Sequence, residues 1–145
     1  MPMIDVYAPS DLFPDSVDRE IAEGLTLALL RAEGVQHPAP VHLNNTAAYI
    51  HRLNPKAVHT AGTASARTVR IQVLTPPGAL NRAGQRSFVA DATEIVARIA
   101  RDPTQAARTW VLLCEAAEGG WGIAGHANTQ ADIAAAAREA LSAAG

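Results

Sequence analysis

The chain has 145 residues, of which 48% are hydrophobic and 18% are charged, and its formal net charge at pH 7 is −2. This composition predicts one globular domain over residues 1–145 rather than a disordered chain. A slightly acidic chain without a lysine- or arginine-rich run is not expected to bind nucleic acid or an anionic membrane. No apolar run approaches the roughly 18 residues of a membrane span. The first residues lack the features of a signal peptide, so the cytoplasm is the expected compartment.

The first part of the chain predicts a strand, a helix and a second strand. Met3 to Ala8 forms a short apolar strand. The helix that follows has one apolar face at helical spacing and ends at Gly34; that face comprises Val17, Ile21, Leu25, Ala28, Leu29 and Ala32. The second strand is predicted at about Val41 to Thr46, and the segment from Ala47 to Ala66 is predicted to be an irregular connection or hairpin.

The second half repeats this order of elements. Thr68 to Leu74 alternates apolar and polar residues, as a half-buried strand does. Asn81 is a suitable N-cap for the next helix, whose apolar face comprises Phe88, Ala92, Ile95, Val96 and Ile99. Thr109 to Glu115 is a strongly apolar strand. Cys114 is the single cysteine, so it excludes an internal disulfide, and its place in this strand predicts a buried, inert thiol.

A glycine-rich hairpin and a terminal helix complete the chain. Gly119 to Gly125 has the sequence G-G-W-G-I-A-G, which predicts a tight hairpin. Its glycines also match the dinucleotide pattern G-x-G-x-x-G, but that pattern requires a following helix and a further strand, and only one helix remains. Asn128 or Thr129 can cap the alanine-rich terminal helix.

The duplicated order predicts an α+β fold with two tandem β-α-β units, at residues 2–62 and 67–145. A long crossover helix makes the two strands of each unit parallel. The expected architecture is a four-stranded mixed sheet with two long helices on one face, plus the C-terminal helix. The other face of the sheet would remain apolar, which predicts an oligomer.

Pro2 directly precedes the first strand. If Met1 is removed, the chain begins with a secondary amine, and an α-amino group has an unperturbed pKa of about 7.7–8.0. Burial and nearby cations disfavour the charged amine and lower that pKa. Pro2 is therefore a candidate general base near neutral pH. The alternative is a proline that only begins an edge strand.

Arg70 and His42 are candidate substrate-binding residues. Arg70 lies in an otherwise apolar strand, where a charged side chain must reach an edge, a partner or a ligand. An ion pair between strands or subunits is the alternative role for Arg70. His42 can donate to a substrate oxygen or satisfy a neighbouring carbonyl group. The five histidines have no metal-binding spacing, so no metal or other cofactor is expected.

Three features resemble the tautomerase superfamily, and in particular its fused two-unit members related to 4-oxalocrotonate tautomerase. They are Met1-Pro2 leading into a strand, the duplicated β-α-β order, and an apolar strand that ends at Glu115 and precedes the Gly-x-Trp-Gly-Ile-x-Gly hairpin. The length matches the cis-3-chloroacrylic acid dehalogenase and malonate semialdehyde decarboxylase groups. The resemblance implies a tautomerase/MIF-like fold, a homotrimer and a cofactor-independent enzyme with Pro2 as its catalytic residue.

The same resemblance indicates which other residues would form the site. Trp121 matches the hairpin aromatic residue that makes the family's pocket apolar. The arginine that members often carry in the second strand of a unit is matched by His42 in one unit and Trp110 in the other. Because the family's carboxylate-binding arginines are absent from their usual places, a dicarboxylate substrate is not expected.

The implied reaction is keto–enol proton transfer on a small 2-keto acid or enol, with Pro2 as the general base. His42 or Arg70 would stabilise the enolate, and Trp110 with Trp121 would form an apolar wall. Two alternatives stay open. Pro2 would act as a general acid in a hydratase, dehalogenase or decarboxylase reaction on a three-carbon acid, or the chain would be a non-catalytic trimeric relative.

Overall fold

A four-stranded mixed sheet is the centre of the fold in a computed structural model, which describes residues 1–144. Its strands are β1 (Met3–Pro9), β2 (Ala47–Leu53), β3 (Val69–Thr75) and β4 (Thr109–Glu115), in the order β2-β1-β3-β4. The pairs β1–β2 and β3–β4 are parallel, and the central pair β1–β3 is antiparallel. The predicted α+β architecture with a four-stranded mixed sheet is confirmed.

Two long helices, α1 (Asp18–Ala32) and α3 (Arg82–Ala100), cover one face of the sheet. The core lies between them and the sheet because alternate strand residues point toward the helices. Its fully buried side chains include Ile4, Val6, Ile21, Leu25, Leu29, Val69, Ile71, Val73 and Phe88. Asn81 caps α3 as predicted, and its Oδ1 accepts from the Gly84 N–H at 2.9 Å. Within residues 1–144, no helix is both long and apolar enough to cross a membrane.

The predicted second strand at Val41 to Thr46 is wrong. Residues Pro40–Asn44 form a short helix, α2, and the strand is β2, which begins at Ala47. Proline favours the first helical position because its fixed φ suits a helix and its missing N–H is not needed there. The Thr46 hydroxyl donates to the His42 carbonyl oxygen at 2.9 Å and holds the end of the helix.

The segment predicted to be irregular instead supplies an edge strand. In β2, Ala48 and Ile50 pack against the core. Tyr49 and His51 alternate with them, and Tyr49 is 52% exposed. The pattern is weak because alanine, histidine and arginine stand where a typical strand carries β-branched residues.

The face of the sheet opposite the long helices is uncovered in the single chain. It exposes large apolar side chains, namely Tyr49, Leu74, Trp110 and Leu112. Cys114 is also exposed, so the prediction of a buried thiol is wrong. Although the run of β4 is apolar, only alternate residues, such as Val111 and Leu113, pack on the core.

The last elements are a hairpin and a terminal helix. The hairpin consists of β5 (Trp121–Ile123) and β6 (His126–Asn128), which pair antiparallel as predicted. The helix α4 (Gln130–Ala144) has no buried residue and packs mainly against α2 and β6. The hairpin and α4 therefore lie beside α2.

We expect Gly84→Ala to lower the free energy of unfolding by about 1–3 kcal/mol, because it overpacks the contact between α1 and α3. A Cβ at Gly84 would lie 2.4 Å from the Ala32 carbonyl oxygen, and backbone cannot move aside easily. Gly24→Ala is the matched control, since its Cβ would lie 3.5 Å from the Ile95 side chain, an ordinary contact. That variant should gain up to about 1 kcal/mol from helix propensity. Urea unfolding of both variants measures the difference, and equal changes would contradict the close packing at Gly84.

Candidate functional site

The start of β1 lies at a cavity of about 340 Å³. Met1 forms one wall, α2 a second, and the hairpin with α4 the others. Apolar side chains such as Val41, Ile123 and Ile133 make up much of the lining. Pro2, the next residue after Met1, is buried. The cavity is therefore a small, mainly apolar space at the N-terminal end of the chain.

The α-amine of Met1 and the carboxyl group of Glu33 influence each other here. Burial lowers the pKa of the Met1 amine, and the negative charge of Glu33 acts in the opposite direction as a smaller effect. Burial likewise raises the pKa of Glu33, which the amine's positive charge partly offsets. Burial thus favours the neutral form of both groups.

Glu33 is a residue that the sequence analysis missed. It caps the C-terminus of α1, a position that is usually solvent-exposed and gives no sign of burial. Its Oε1 is nevertheless buried and has no hydrogen-bond partner within the described chain. A carboxyl oxygen in such a place is costly unless it is protonated or meets a ligand, water or cation.

His42 lines the cavity from α2. Its Nδ1 accepts from the Ala39 N–H at 3.0 Å, in the manner of a capping box at the helix start. A neutral imidazole that accepts at Nδ1 carries its proton on Nε2. His42 therefore offers an N–H donor to a ligand, and its backbone hydrogen bonds hold the ring in place.

The hairpin and the start of α4 are fixed by their own hydrogen bonds. The Asn128 side-chain amide donates to the carbonyl oxygens of Trp121 and His126, each at 3.1 Å. Asp132 accepts from the N–H and the hydroxyl of Thr129, and these bonds lower the pKa of its carboxyl group. Asp132 lines the cavity, but its carboxylate is engaged in capping the helix.

Trp121 lies in this hairpin and is 5% exposed. Its indole Nε1–H is buried without an acceptor in residues 1–144. Because Ile123 and His126 of the same hairpin line the cavity, Trp121 supports one wall of it. No group of three or more His, Cys, Asp or Glu side chains among these residues is arranged to hold a metal ion.

Arg70 and Trp110 lie at the other end of the sheet. They face each other across β3 and β4, and Arg70 is also opposite Tyr7 of β1. Tyr7 is five residues beyond Pro2, which at about 3.3 Å per residue is a separation of about 16 Å. Within one chain the structure therefore brings Met1, which precedes Pro2, together with His42 and the Trp121 hairpin at one cavity and places Arg70 and Trp110 elsewhere.

No model of a known protein family matches the sequence, and no curated protein matches it. Solved structures do match the fold. A fused 4-OT solved as a symmetric trimer has a TM-score of 0.73 at 14% identity, with 90% of this chain and 98% of that chain covered. Pt0534, solved after inactivation by 2-oxo-3-pentynoate, has a TM-score of 0.73 at 16% identity, with the same coverage of 90% and 98%.

A macrophage migration inhibitory factor-like protein from Entamoeba histolytica is also similar. Its TM-score is 0.67 at 14% identity, with 86% of this chain and 96% of that chain covered. The chain therefore has the fold of the fused 4-OT proteins of the tautomerase superfamily and of their MIF-like relatives. The predicted resemblance is confirmed at the level of the fold.

Proposed function

We propose that the chain is a cofactor-independent tautomerase in which the Pro2 nitrogen, freed by removal of Met1, is the general base. The substrate class is a small 2-keto acid or its enol. The observation that carries this proposal is that Met1, the residue before Pro2, lines an apolar cavity and that burial lowers the pKa of its amine. The fold shared with fused 4-OT proteins supports the same reaction class.

Removal of Met1 would change the cavity in a defined way. Met1 lines it, so its loss enlarges the space and leaves the Pro2 nitrogen at the wall. Burial of that position would favour the neutral form of the secondary amine, as it does for the Met1 amine. The neutral nitrogen then takes a proton from the carbon beside the substrate carbonyl or from the enol oxygen, and returns it to the other position.

His42 is the proposed donor to the substrate oxygen. Negative charge develops on that oxygen as the proton leaves the carbon, and a fixed N–H stabilises it without reorganisation. Trp121 would keep its side of the cavity apolar. Arg70 and Trp110 lie about 16 Å from Pro2 along the sheet, so they do not line this cavity in the same chain.

We also propose that the working form is a homotrimer. The uncovered sheet face exposes Tyr49, Trp110 and Leu112 by 45–52% each, which is unusual for a monomer. Fused 4-OT proteins of this fold are described as trimers. No arginine or lysine lines the cavity at Met1, so a neighbouring subunit is a source for the cation that a carboxylate substrate requires.

Intact mass and an ultraviolet assay test the proposal together. Purified chain is separated into forms with and without Met1, and each is given a panel of 2-keto acids and their enols. We expect activity only in the form that lacks Met1, because an amide nitrogen at Pro2 has no basic lone pair. Equal activity in both forms would overturn the role of Pro2, and inactivity of the Met1-free form on the whole panel would favour a non-catalytic relative.

Glu33 favours one second candidate. A buried carboxyl group beside an amine is the pair of groups that could add water to a three-carbon acid or decarboxylate it. In either reaction Pro2 would be protonated and act as the general acid. The pH–rate profile separates the two roles. Activity lost below the pKa of the amine indicates a base, and activity lost above it indicates an acid.

Glu33→Gln should shift the pH–rate profile, because it removes the negative charge of Glu33 from the neighbourhood of the amine. The Glu33 carboxylate raises the pKa of the Met1 amine. If it acts on the Pro2 amine of the Met1-free form in the same way, its removal lowers the pKa of that amine. If the amine is a base, the acid limb of the pH–rate profile moves to lower pH. Glu23→Gln is the matched control, because its carboxylate is exposed on the same helix and binds Arg19 at 2.7 Å.

Glu33→Gln should also change the free energy of unfolding in a predictable direction. The pKa of Glu33 is raised in the folded state, so its ionisation opposes folding as the pH rises above the pKa of the unfolded chain. We therefore expect Glu33→Gln to leave the free energy of unfolding at pH 7 unchanged or higher. A lower free energy of unfolding would indicate that the buried carboxylate has a stabilising partner instead.

A further inference from the structure

We propose that α4 determines which group the substrate carries on its reacting carbon. The wall formed by Ile133, Ala136 and Ala137 accepts an uncharged, apolar group, and the Asp132 carboxylate rejects a second carboxylate. This inference rests on the proposed function, because it assigns the substrate class of the same cavity. The expected substrates are 2-keto acids with an aliphatic side group, and dicarboxylates such as 2-oxoglutarate are excluded.

The walls of the cavity decide where the side group of the substrate points. The proposed donor, His42, is on α2, and the proposed base, Pro2, follows Met1 at the N-terminal wall. A substrate whose carbonyl oxygen meets α2 and whose reacting carbon meets the N-terminal wall has the hairpin and α4 on its remaining sides. The side group on the reacting carbon therefore points at these two elements.

The surface that α4 presents to the cavity is apolar beyond its first turn. Asp132 and Ala136 are four residues apart, as are Ile133 and Ala137, so all four lie on one side of the helix. They line the cavity together with Ile123 of the hairpin. Because each buried CH₂ group contributes about fourfold in affinity, this surface favours an alkyl side group.

Two of these residues are alanines, which leave space for the side group. The cavity has a volume of about 340 Å³ with Met1 in place, near the lower end of ligand pockets at about 300 Å³. Loss of Met1 enlarges it. A larger side chain at Ala136 or Ala137 would fill the space again, so the small size of these residues sets the upper limit on the side group.

Asp132 adds a negative charge at the start of this apolar wall. Its Oδ2 accepts from the Thr129 N–H at 2.9 Å and from the Thr129 hydroxyl at 2.7 Å. These bonds lower the pKa of the carboxyl group, which is therefore ionised at neutral pH. They also hold the carboxylate in place, so the charge is a fixed part of the lining.

No arginine or lysine in the same lining compensates this charge. The arginine of α4, Arg138, is six residues beyond Asp132, which is about 9 Å along the helix. A second substrate carboxylate that points at α4 would meet a like charge and would lose water without gaining a partner. The first carboxylate avoids Asp132, because it is attached to the carbonyl carbon and not to the carbon that carries the side group.

Hydrogen–deuterium exchange at C3 of the substrate, followed by NMR in D₂O, tests the selectivity of the Met1-free chain. This exchange reports the proposed proton transfer for any 2-keto acid. The matched pair is 5-methyl-2-oxohexanoate and 2-oxoglutarate, because an isopropyl group in the first stands where the second has a carboxylate of similar size. We expect kcat/KM to be on the order of 100-fold higher for 5-methyl-2-oxohexanoate.

Asp132→Asn removes the charge and keeps an oxygen that can accept from Thr129. We expect it to reduce the discrimination about fivefold, which is the effect of one like charge about 4 Å away in water. Glu118→Gln is the matched control. The Glu118 carboxylate also binds the start of α4, where it accepts from the Gln130 N–H at 3.1 Å, but it does not line the cavity. This variant should leave the discrimination unchanged.

Ala137→Leu tests the size limit. Leucine is a good helix former, so α4 should remain helical. We expect kcat/KM for 5-methyl-2-oxohexanoate to fall by about 10-fold or more, as for a side group that no longer fits an apolar pocket. Pyruvate has no side group on its reacting carbon, and its exchange should be nearly unchanged. An equal loss for both acids would show that α4 only supports the fold of the cavity.

Failure of this inference and failure of the proposed function give different results. If both acids of the pair exchange with similar kcat/KM, or if Asp132→Asn behaves like Glu118→Gln, the role of α4 is overturned and the proposed function is unaffected. If neither acid exchanges, the proposed function fails, and saturation-transfer NMR measures binding of the same pair. Selective binding of 5-methyl-2-oxohexanoate that Asp132→Asn relaxes would still support the role of α4, whereas unselective binding or no binding would overturn it.

Discussion

Replacement of Pro2 by alanine is expected to lower kcat/KM for keto–enol conversion by about 10²-fold, the lower end of what a positioned general base contributes. The loss of activity should not be complete, because an N-terminal alanine still provides an α-amine. That amine is primary and free to rotate, whereas the pyrrolidine ring fixes the direction of the lone pair. In the form that retains Met1 the Pro2 nitrogen is an amide, and the Met1 amine is displaced from the position of the base by one residue, so its loss should approach about 10⁴-fold.

Because Pro2 is buried, the effect on stability must be separated from the effect on chemistry. Pro9→Ala is the matched control: Pro9 is also buried and is the last residue of the same strand, at the end remote from the cavity. Urea unfolding and steady-state assays of both variants give the comparison. If Pro9→Ala loses as much activity as Pro2→Ala, the loss follows from strand stability, and Pro2 is not the base.

The sequence predicts most of the fold because its strongest signals are periodic. The alternation in Val69–Thr75 and the helical apolar face through Phe88 and Val96 survive in the structure as β3 and α3. The pattern fails where polar and apolar residues alternate weakly. Val41 to Thr46 contains enough apolar residues for a strand, but local hydrogen bonds from His42 and Thr46 and the proline at the first position favour a helix.

The site was only partly predictable, for a geometric reason. Met1 and His42 line the same cavity because α2 lies beside the start of β1. Arg70 lies near the start of its strand, as Pro2 lies near the start of β1, but β1 and β3 are antiparallel, so the two starts are at opposite ends of the sheet. The burial of Glu33 depends on how the N-terminus packs against the end of α1, which no local pattern records.

His42→Ala is expected to lower kcat by about 10²- to 10³-fold, the effect of removing one donor to a developing oxyanion. The Nε2–H donor is fixed because Nδ1 is committed to the Ala39 N–H at 3.0 Å. KM should change less, since the donor interacts more strongly with the enolate-like transition state than with the ground-state carbonyl. Steady-state kinetics on the Met1-free form measures kcat and KM separately.

The same substitution removes a cap from α2, so a structural explanation needs its own control. Thr46→Val removes the hydroxyl that donates to the His42 carbonyl oxygen at 2.9 Å, which loosens the other end of α2 and leaves the imidazole intact. A helix-stability role predicts similar losses of kcat in both variants, in proportion to their unfolding free energies. The donor role predicts that Thr46→Val keeps kcat within a few-fold while His42→Ala does not, and that the loss in His42→Ala persists at low temperature and low urea, where both proteins are fully folded. Similar losses in the two variants would exclude His42 as the oxyanion donor and would leave the cavity without an N–H group known to be held in position for that charge.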